Sequence, residues 1–381
     1  MSDGGRAPGL LVVAGEASGD NHAAELVREL LRRRPALEVF GLGGDGLAAA
    51  GLDRLAASSE ISVVGVTEVW KILPRARQIF RRLLAEVDRR GTRTALLVDF
   101  PDFNLRLARR LKQRGVRVVY YVSPQVWAWR RGRIKTVARV VDRMLVLFDF
   151  EAELYREHGV NVTHVGHPVV DQVPRLERRR GPHPSGRRQL CLLPGSRASE
   201  IAAHLPVMTE AAGLLAAAGD LDVSWILADG IDPDRYRALL PPGLPLELVR
   251  EGRFEVIADA DLALCASGTA TLEVGLLGTP MIVIYKVSRV TSWVGKALLR
   301  LPNISLVNLV LGRTAVPEVL QTRATGAEIC RTAGELLDDP VRLETISRDL
   351  ARLREHLGAP GASRRAAEAV ESELAREGSR P

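Results

Sequence analysis

Short apolar runs, each followed within a few residues by an amphipathic stretch of helical period, recur along this chain. No other feature narrows the fold as much. "GLLVVAG" leads into "NHAAELVRELLRRR", "EVFGLG" into "GLAAAG", "TALLVDF" into "FNLRLARRLKQRG", and "VRVVYYV" into a basic helical segment. Strands alternating with helical patterns in this way build a parallel sheet covered by helices on both faces.

Near residue 174 the rhythm breaks. "PRLERRRGPHPSGRRQ" is rich in Pro, Gly and Arg, has little to bury, and reads as a linker over residues 174–189. A second alternating series follows: "QLCLLPG", "DVSWILADG", "LELVREG", "DLALCASG" and "PMIVIYK". With 381 residues the chain exceeds what one compact core holds. The expectation is therefore an α/β protein with two Rossmann-like domains, 1–173 and 190–344, whose parallel sheets face each other across a cleft, the architecture called GT-B. A charged C-terminal helix at about 345–381 is free to pack back on the first domain.

Composition excludes more than it selects. Cys191, Cys265 and Cys330 are far apart and form neither a CxxC nor a Cys/His cluster, so no disulfide framework or zinc site is expected and a reduced cytoplasm is the simplest setting. "LLVVAG" is shorter than a signal-peptide core and has no cleavage pattern. The greasy region "TATLEVGLLGTPMIVIY" carries Glu273 and Pro280 and falls short of about 20 uninterrupted apolar residues, so no membrane span is expected. The net charge of +7 favours anionic partners: phosphorylated substrates, nucleic acid or an acidic membrane surface.

In parallel sheets ligands sit beyond the carboxyl ends of the strands, so the strand-to-helix loops are where chemistry is expected. In "LLPGSRASEI", Gly195 lets the backbone approach a ligand, Ser196 and the free N–H groups of the next helix offer a partly positive end, and Arg197 adds a planar fork of donors. This suits a phosphate. The same letters also spell an ordinary turn with Ser196 as N-cap and Arg197 in solvent. "CASGTATLE" repeats the design: Ser267, Gly268 and Thr269 supply a small-residue turn, and Glu273, one turn on, can accept from a ribose diol. Its plain alternative is N-capping by Ser267 or Thr269. Two such loops in one domain point to a nucleoside diphosphate.

The first domain offers acids instead. "VAGEASGD" brings Glu16, Ser18 and Asp20 to the mouth of the sheet, which suits acceptor hydroxyls better than pyrophosphate. "LLVDFPDFN" ends a strand with Asp99, placed to take a proton from an attacking hydroxyl, while Asp102 reads as a helix N-cap. "GLGGDG" at residues 41–46 has the GxGxxG letters but follows the second strand and lacks an acid about 20 residues on, so it reads as a turn and not as a dinucleotide site. "YYVSPQVWAWRRGRIK" combines Trp with Arg and could grip single-stranded nucleic acid, a phosphorylated sugar or lipid head groups, or simply anchor a loop. Finally, "ISVVGVTEVWKILPRARQIFRRLL" sets Val66, Val69, Trp70, Leu73 and Phe80 among cations. That pattern fits a bilayer interface or an ordinary core-facing helix.

Taken together, "VAGEASGD", "DFPDFN", "YYVSPQVWAWR", "VGHPVVD", "LLPGSR", "ASGTATLE" and "SLVNLVLGR" stand in the order and spacing of the lipid-A-disaccharide synthase family, which the chain resembles from about residue 10 to beyond 320. The resemblance implies a metal-independent, inverting hexosyltransferase of GT-B architecture, with no cofactor beyond the UDP carried by its donor. It would join UDP-2,3-diacylglucosamine to 2,3-diacylglucosamine 1-phosphate on the cytoplasmic face of the inner membrane of a Gram-negative bacterium, in contact with its acidic surface and with no nucleic acid; homo-oligomer formation is left open. Carried over, Asp99 matches the base, Arg197 the diphosphate-binding arginine, Glu273 a ribose ligand, Asn308 a polar residue facing the donor, and Glu16 and Ser18 the acceptor side. One departure is visible: Val307 stands where Pro is expected before Asn308. A UDP-sugar epimerase or soluble transferase of the same architecture, or a basic nucleic-acid binder, would not account for the two phosphate loops, the strand-end acid and the greasy basic segment at once.

Overall fold

In the computed structural model, residues 9–61, 69–124, 132–178, 181, 183–228, 230–286 and 303–376 are described. They form two compact units, residues 1–168 with 358–381, and residues 169–357.

The first unit holds seven strands: β1 (Gly9–Ala14), β2 (Glu38–Gly43), β3 (Asp53–Ala57), β4 (Thr94–Val98), β5 (Arg117–Tyr121), β6 (Arg143–Val146) and β7 (Val162–His164). Their order is β3-β2-β1-β4-β5-β6-β7, and every pairing is parallel. Helices α1 (Ala17–Arg33), α2 (Asp45–Ala49), α3 (Val69–Arg90), α4 (Pro101–Lys112), α5 (Arg133–Val140) and α6 (Asp149–Glu157) follow. Leu10 to Ala14 and Ala95 to Val98 are wholly buried, as expected of strands covered on both faces.

The second unit repeats the plan with six strands: β8 (Arg188–Leu193), β9 (Leu221–Ile226), β10 (Leu246–Val249), β11 (Leu262–Ala266), β12 (Met281–Tyr285) and β13 (Glu318–Leu320), in the order β10-β9-β8-β11-β12-β13. After α7 (Val169–Gln172) come α8 (Ala198–Ala218), α9 (Arg253–Asp259) and α10 (Ala270–Leu276). Helix α8 is the one described helix long and apolar enough to cross a membrane by length and composition. Its apolarity has a local cause: Ile201 and Leu205 form a buried cluster with Trp225, Leu227 and Tyr236, and Met208, Ala211 and Ala212 are buried along the same helix.

The C-terminal segment differs from the single charged helix expected over about 345–381. It forms three helices, Pro340–Ala351, Leu353–His356 and Ala362–Ala375, the last set apart because Gly358 and Gly361 adopt positive φ and Pro360 intervenes. The first two stay with the second unit, and the return to the first is made from Gly358 on. The last helix lies against α1 through Arg33 and Arg34, which donate to Glu371 at 3.0 and 3.1 Å. It is latched to the sheet by Glu373, fully buried, whose carboxylate accepts from Arg117 of β5 at 3.0 Å and Arg143 of β6 at 3.5 Å. With Arg376 of the following turn at 3.2 Å, three arginines on one buried carboxylate offset its desolvation.

Candidate active site

Each sheet reverses direction of strand addition at one point, between β1 and β4 in the first unit and between β8 and β11 in the second. Ligands of open α/β sheets bind outside the strand ends at such points. The four loops leaving these strands carry the residues singled out by sequence: Glu16 and Ser18 after β1, Asp99 after β4, Gly195 to Arg197 after β8, and Ser267 to Thr269 after β11.

In the first unit, Asp99 is half-buried and Glu16 likewise, while Ser18 is exposed. The first turn of α1 runs beside Asp99, since a Cβ on Gly19 would lie 3.6 Å from the Asp99 Cβ. Asp20 does something else. Its buried carboxylate accepts from the backbone N–H of Gly44 at 2.6 Å and of Gly46 at 3.0 Å. The GLGGDG turn therefore spends its free amides on the chain's own carboxylate, which is the physical reason its letters do not make a dinucleotide site. Asp102 is not the N-cap of α4: Phe100 holds that position, and Asp102, inside the first turn, pairs with Arg133.

In the second unit, Gly195 has φ of 120°, and a Cβ there would lie 2.7 Å from the Glu200 side chain, so only glycine fits this turn. Glu200 explains the crowding. Its carboxylate accepts from the N–H of Ser196 at 3.1 Å, from the N–H of Arg197 at 3.3 Å and from the Arg197 guanidinium at 2.9 Å. Arg197, not Ser196, is the N-cap residue of α8. The turn aims backbone and guanidinium donors at one oxyanion, here the chain's own Glu200 carboxylate, which a diphosphate would have to displace to reach them. Thr269 precedes α10 but makes no side-chain cap, and Thr271 donates to the Gly268 carbonyl at 2.7 Å. Neither loop therefore uses a side-chain N-cap of the expected kind. Glu273 is half-buried one turn into α10.

Asn308 is fully buried in helix Leu306–Leu311. Its Nδ2 donates to the Val316 carbonyl and to Glu318, both at 2.8 Å, and its Oδ1 accepts from the N–H groups of Ala315 at 2.8 Å and Val316 at 3.0 Å. All four hydrogen-bonding positions of the amide are used within the fold, so the Asn308 side chain braces a turn. Val307 beside it is buried without disturbing this network.

Of the segment read as membrane-facing, Val66 and the side chains of Val69 and Trp70 lie outside the described residues. Leu73 is half-buried; Phe80 packs on the domain core and meets the Phe103 ring edge-on at 5.5 Å. Exposed Arg77, Arg81 and Arg82 line the outer side of α3. Trp127, Trp129, Arg130 and Arg131 also lie outside the described residues.

The family model for lipid-A-disaccharide synthetase matches residues 10–372. A lipid-A-disaccharide synthase of Myxococcus xanthus is 46% identical over 370 residues, 95% of this chain and 97% of that one, and one of Geobacter metallireducens is 42% identical over 369 residues, 94% and 95% of the two chains. The chain belongs to the lipid-A-disaccharide synthetase family. Its fold is of the GT-B kind, similar to a UDP-N-acetylglucosamine 2-epimerase of Listeria monocytogenes (TM-score 0.65, 12% identity, 99% of both chains) and to MurG of Acinetobacter baumannii (TM-score 0.62, 14% identity, 96% of this chain and all of that one). At such identities these likenesses speak of fold alone.

Sequence reading overlooked His204, which braces the phosphate-type loop of this family member from behind. Its Nδ1 donates to the Pro194 carbonyl at 3.1 Å and its Nε2 accepts from the Lys286 N–H at 3.1 Å, joining the ends of β8 and β12 through a neutral imidazole. Burial holds its pKa below the ordinary value. The signal was weak, a lone His in an apolar helix.

Two further histidines, His22 and His167, stand 6.0 Å apart at the mouth of the first sheet. Burial pushes both below the ordinary histidine range, His167 to about 3, with His22 adding to the effect. Histidines held neutral in the fold bind protons only on unfolding, so stability should be constant above pH 6.5 and fall as the pH drops towards 3. His167 alone should cost about 2 kcal/mol between pH 6.5 and 5. Denaturant unfolding across that range tests this; an unchanged or rising midpoint would show that these imidazoles titrate normally.

Proposed function

We propose that the chain is a lipid-A-disaccharide synthase, transferring 2,3-diacylglucosamine from UDP-2,3-diacylglucosamine to the 6-hydroxyl of 2,3-diacylglucosamine 1-phosphate. The observation that carries this reading is the near-complete alignment with lipid-A-disaccharide synthases at 42 to 46% identity. The loops at the two switch points supply groups suited to the two halves of the reaction.

Asp99 takes the proton of the acceptor hydroxyl as its oxygen forms a bond to the anomeric carbon. The bond from that carbon to the diphosphate breaks on the opposite face, its electron pair leaves with UDP, and the configuration inverts. Arg197 and the amides of the turn around Gly195 and Ser196 neutralise the charge growing on the departing diphosphate, with Ser267, Gly268 and Thr269 as a second contact. Glu273 accepts from the ribose, and Glu16 and Ser18 contact the acceptor. These cationic and amide donors do the work a metal does in other transferases. Leu73 and the exposed Arg77, Arg81 and Arg82 of α3, which follow Val66, Val69 and Trp70 in sequence, support attachment to an acidic membrane surface where acylated substrates reside.

The test is UDP release from the acylated UDP-glucosamine donor with and without the acylated sugar 1-phosphate. Release that requires both supports the synthase; conversion of the donor without an acceptor would favour an epimerase or hydrolase and overturn it.

A further inference from the structure

Asp99 ends a buried strand on a turn that no glycine relieves. Both Asp99 (φ 45°) and Phe100 (φ 48°) lie in the left-handed region, which costs a non-glycine residue on the order of 1 kcal/mol or more. Two such residues between β4 and α4 make a sharp strand-turn-helix elbow, the geometry that lifts a reacting side chain clear of a sheet. It persists only where the surroundings over-determine it.

Those surroundings are specific. The Asp99 carbonyl accepts from the Tyr120 hydroxyl at 2.5 Å and from Asn104 Nδ2 at 2.8 Å. Tyr120 and Asn104 are both fully buried. The same Asn104 amide reaches the Val98 carbonyl at 3.1 Å and the Val13 carbonyl at 3.4 Å, tying the ends of β4 and β1 to the turn. On the other side of the residue, the Asp99 N–H donates to the Tyr121 carbonyl at 2.9 Å. Phe100 is wedged as tightly: a Cβ on Gly15 would fall 2.4 Å from its ring, and it stacks on Phe103 at 5.5 Å.

We propose that Tyr120 and Asn104 are positioning residues for the transfer: by clamping the Asp99 carbonyl they hold the elbow and aim the carboxylate. This rests on the reading of Asp99 as the base. Without the clamp the peptide can relax towards ordinary strand geometry and swing the carboxylate, and a displacement of about 1 Å is enough to cost up to about a hundredfold in rate.

Tyr120→Phe keeps the ring and removes one donor. The expected result is a kcat lowered about tenfold or more, with the donor KM and the UDP affinity within twofold of the parent. In an Asp99→Asn background the same change should alter the residual rate less than twofold, because no base remains to aim. Asn104→Ala should show the same pattern, so either variant decides. A folded variant with kcat within twofold of the parent, or equal slowing in both backgrounds, would overturn the proposal, as would loss of folding in both variants, since the clamp would then serve the fold alone. Failure of the base reading looks different: Asp99→Asn itself would keep near-parental turnover.

Discussion

Replacing Asp99 by asparagine is expected to slow turnover by about two to four orders of magnitude, the range over which a positioned general base contributes. Asparagine keeps the size of the side chain and leaves the Asp99 carbonyl, with its bonds from Tyr120 and Asn104, untouched. The elbow should survive and only the proton acceptor is lost. UDP affinity should stay within twofold, because the phosphate-type loops belong to the other unit. Steady-state UDP release with the acylated acceptor, alongside calorimetric titration with UDP, separates the two quantities. Turnover within tenfold of the parent would exclude Asp99 as the base.

Arg197→Ala should lower turnover about a hundredfold or more, the scale of a lost donor to a developing negative charge. The side chain is 61% exposed and its ion pair with Glu200 adds at most about 1 kcal/mol, so folding should be unaffected and the loss should appear in the chemical step. Arg197→Lys should recover only part of the rate, since a point charge cannot reproduce the planar fork of donors that a guanidinium offers a diphosphate. Near-normal turnover of the alanine variant would mean that the backbone turn at Gly195 and Ser196 suffices for the diphosphate.

Helix periodicity and apolar runs located most elements because burial on both faces leaves no alternation to confuse: Leu10 to Ala14 and Leu262 to Ala266 read as strands and are strands. They also located the loops after β1, β4, β8 and β11, since turn letters must interrupt such runs. Two readings failed for one shared reason. Asp20 and Asp102 were judged by their neighbours in sequence, whereas their partners are Gly44 with Gly46, and Arg133. A polar side chain bonds what the fold brings within 3 Å, and that is not written locally.

By itself the sequence determined the two parallel sheets, the positions of the strand-end turns and, through Gly195 and Arg197, a turn able to hold an oxyanion, because apolar period and backbone freedom are properties of adjacent residues. Only the tertiary structure decided which polar groups remain available for chemistry and which are consumed as braces. It also decided that Asp99 stands on a strained elbow held by Tyr120 from the next strand and Asn104 from the helix that follows, since strain is sustained by contacts among elements and not by the residue that bears it.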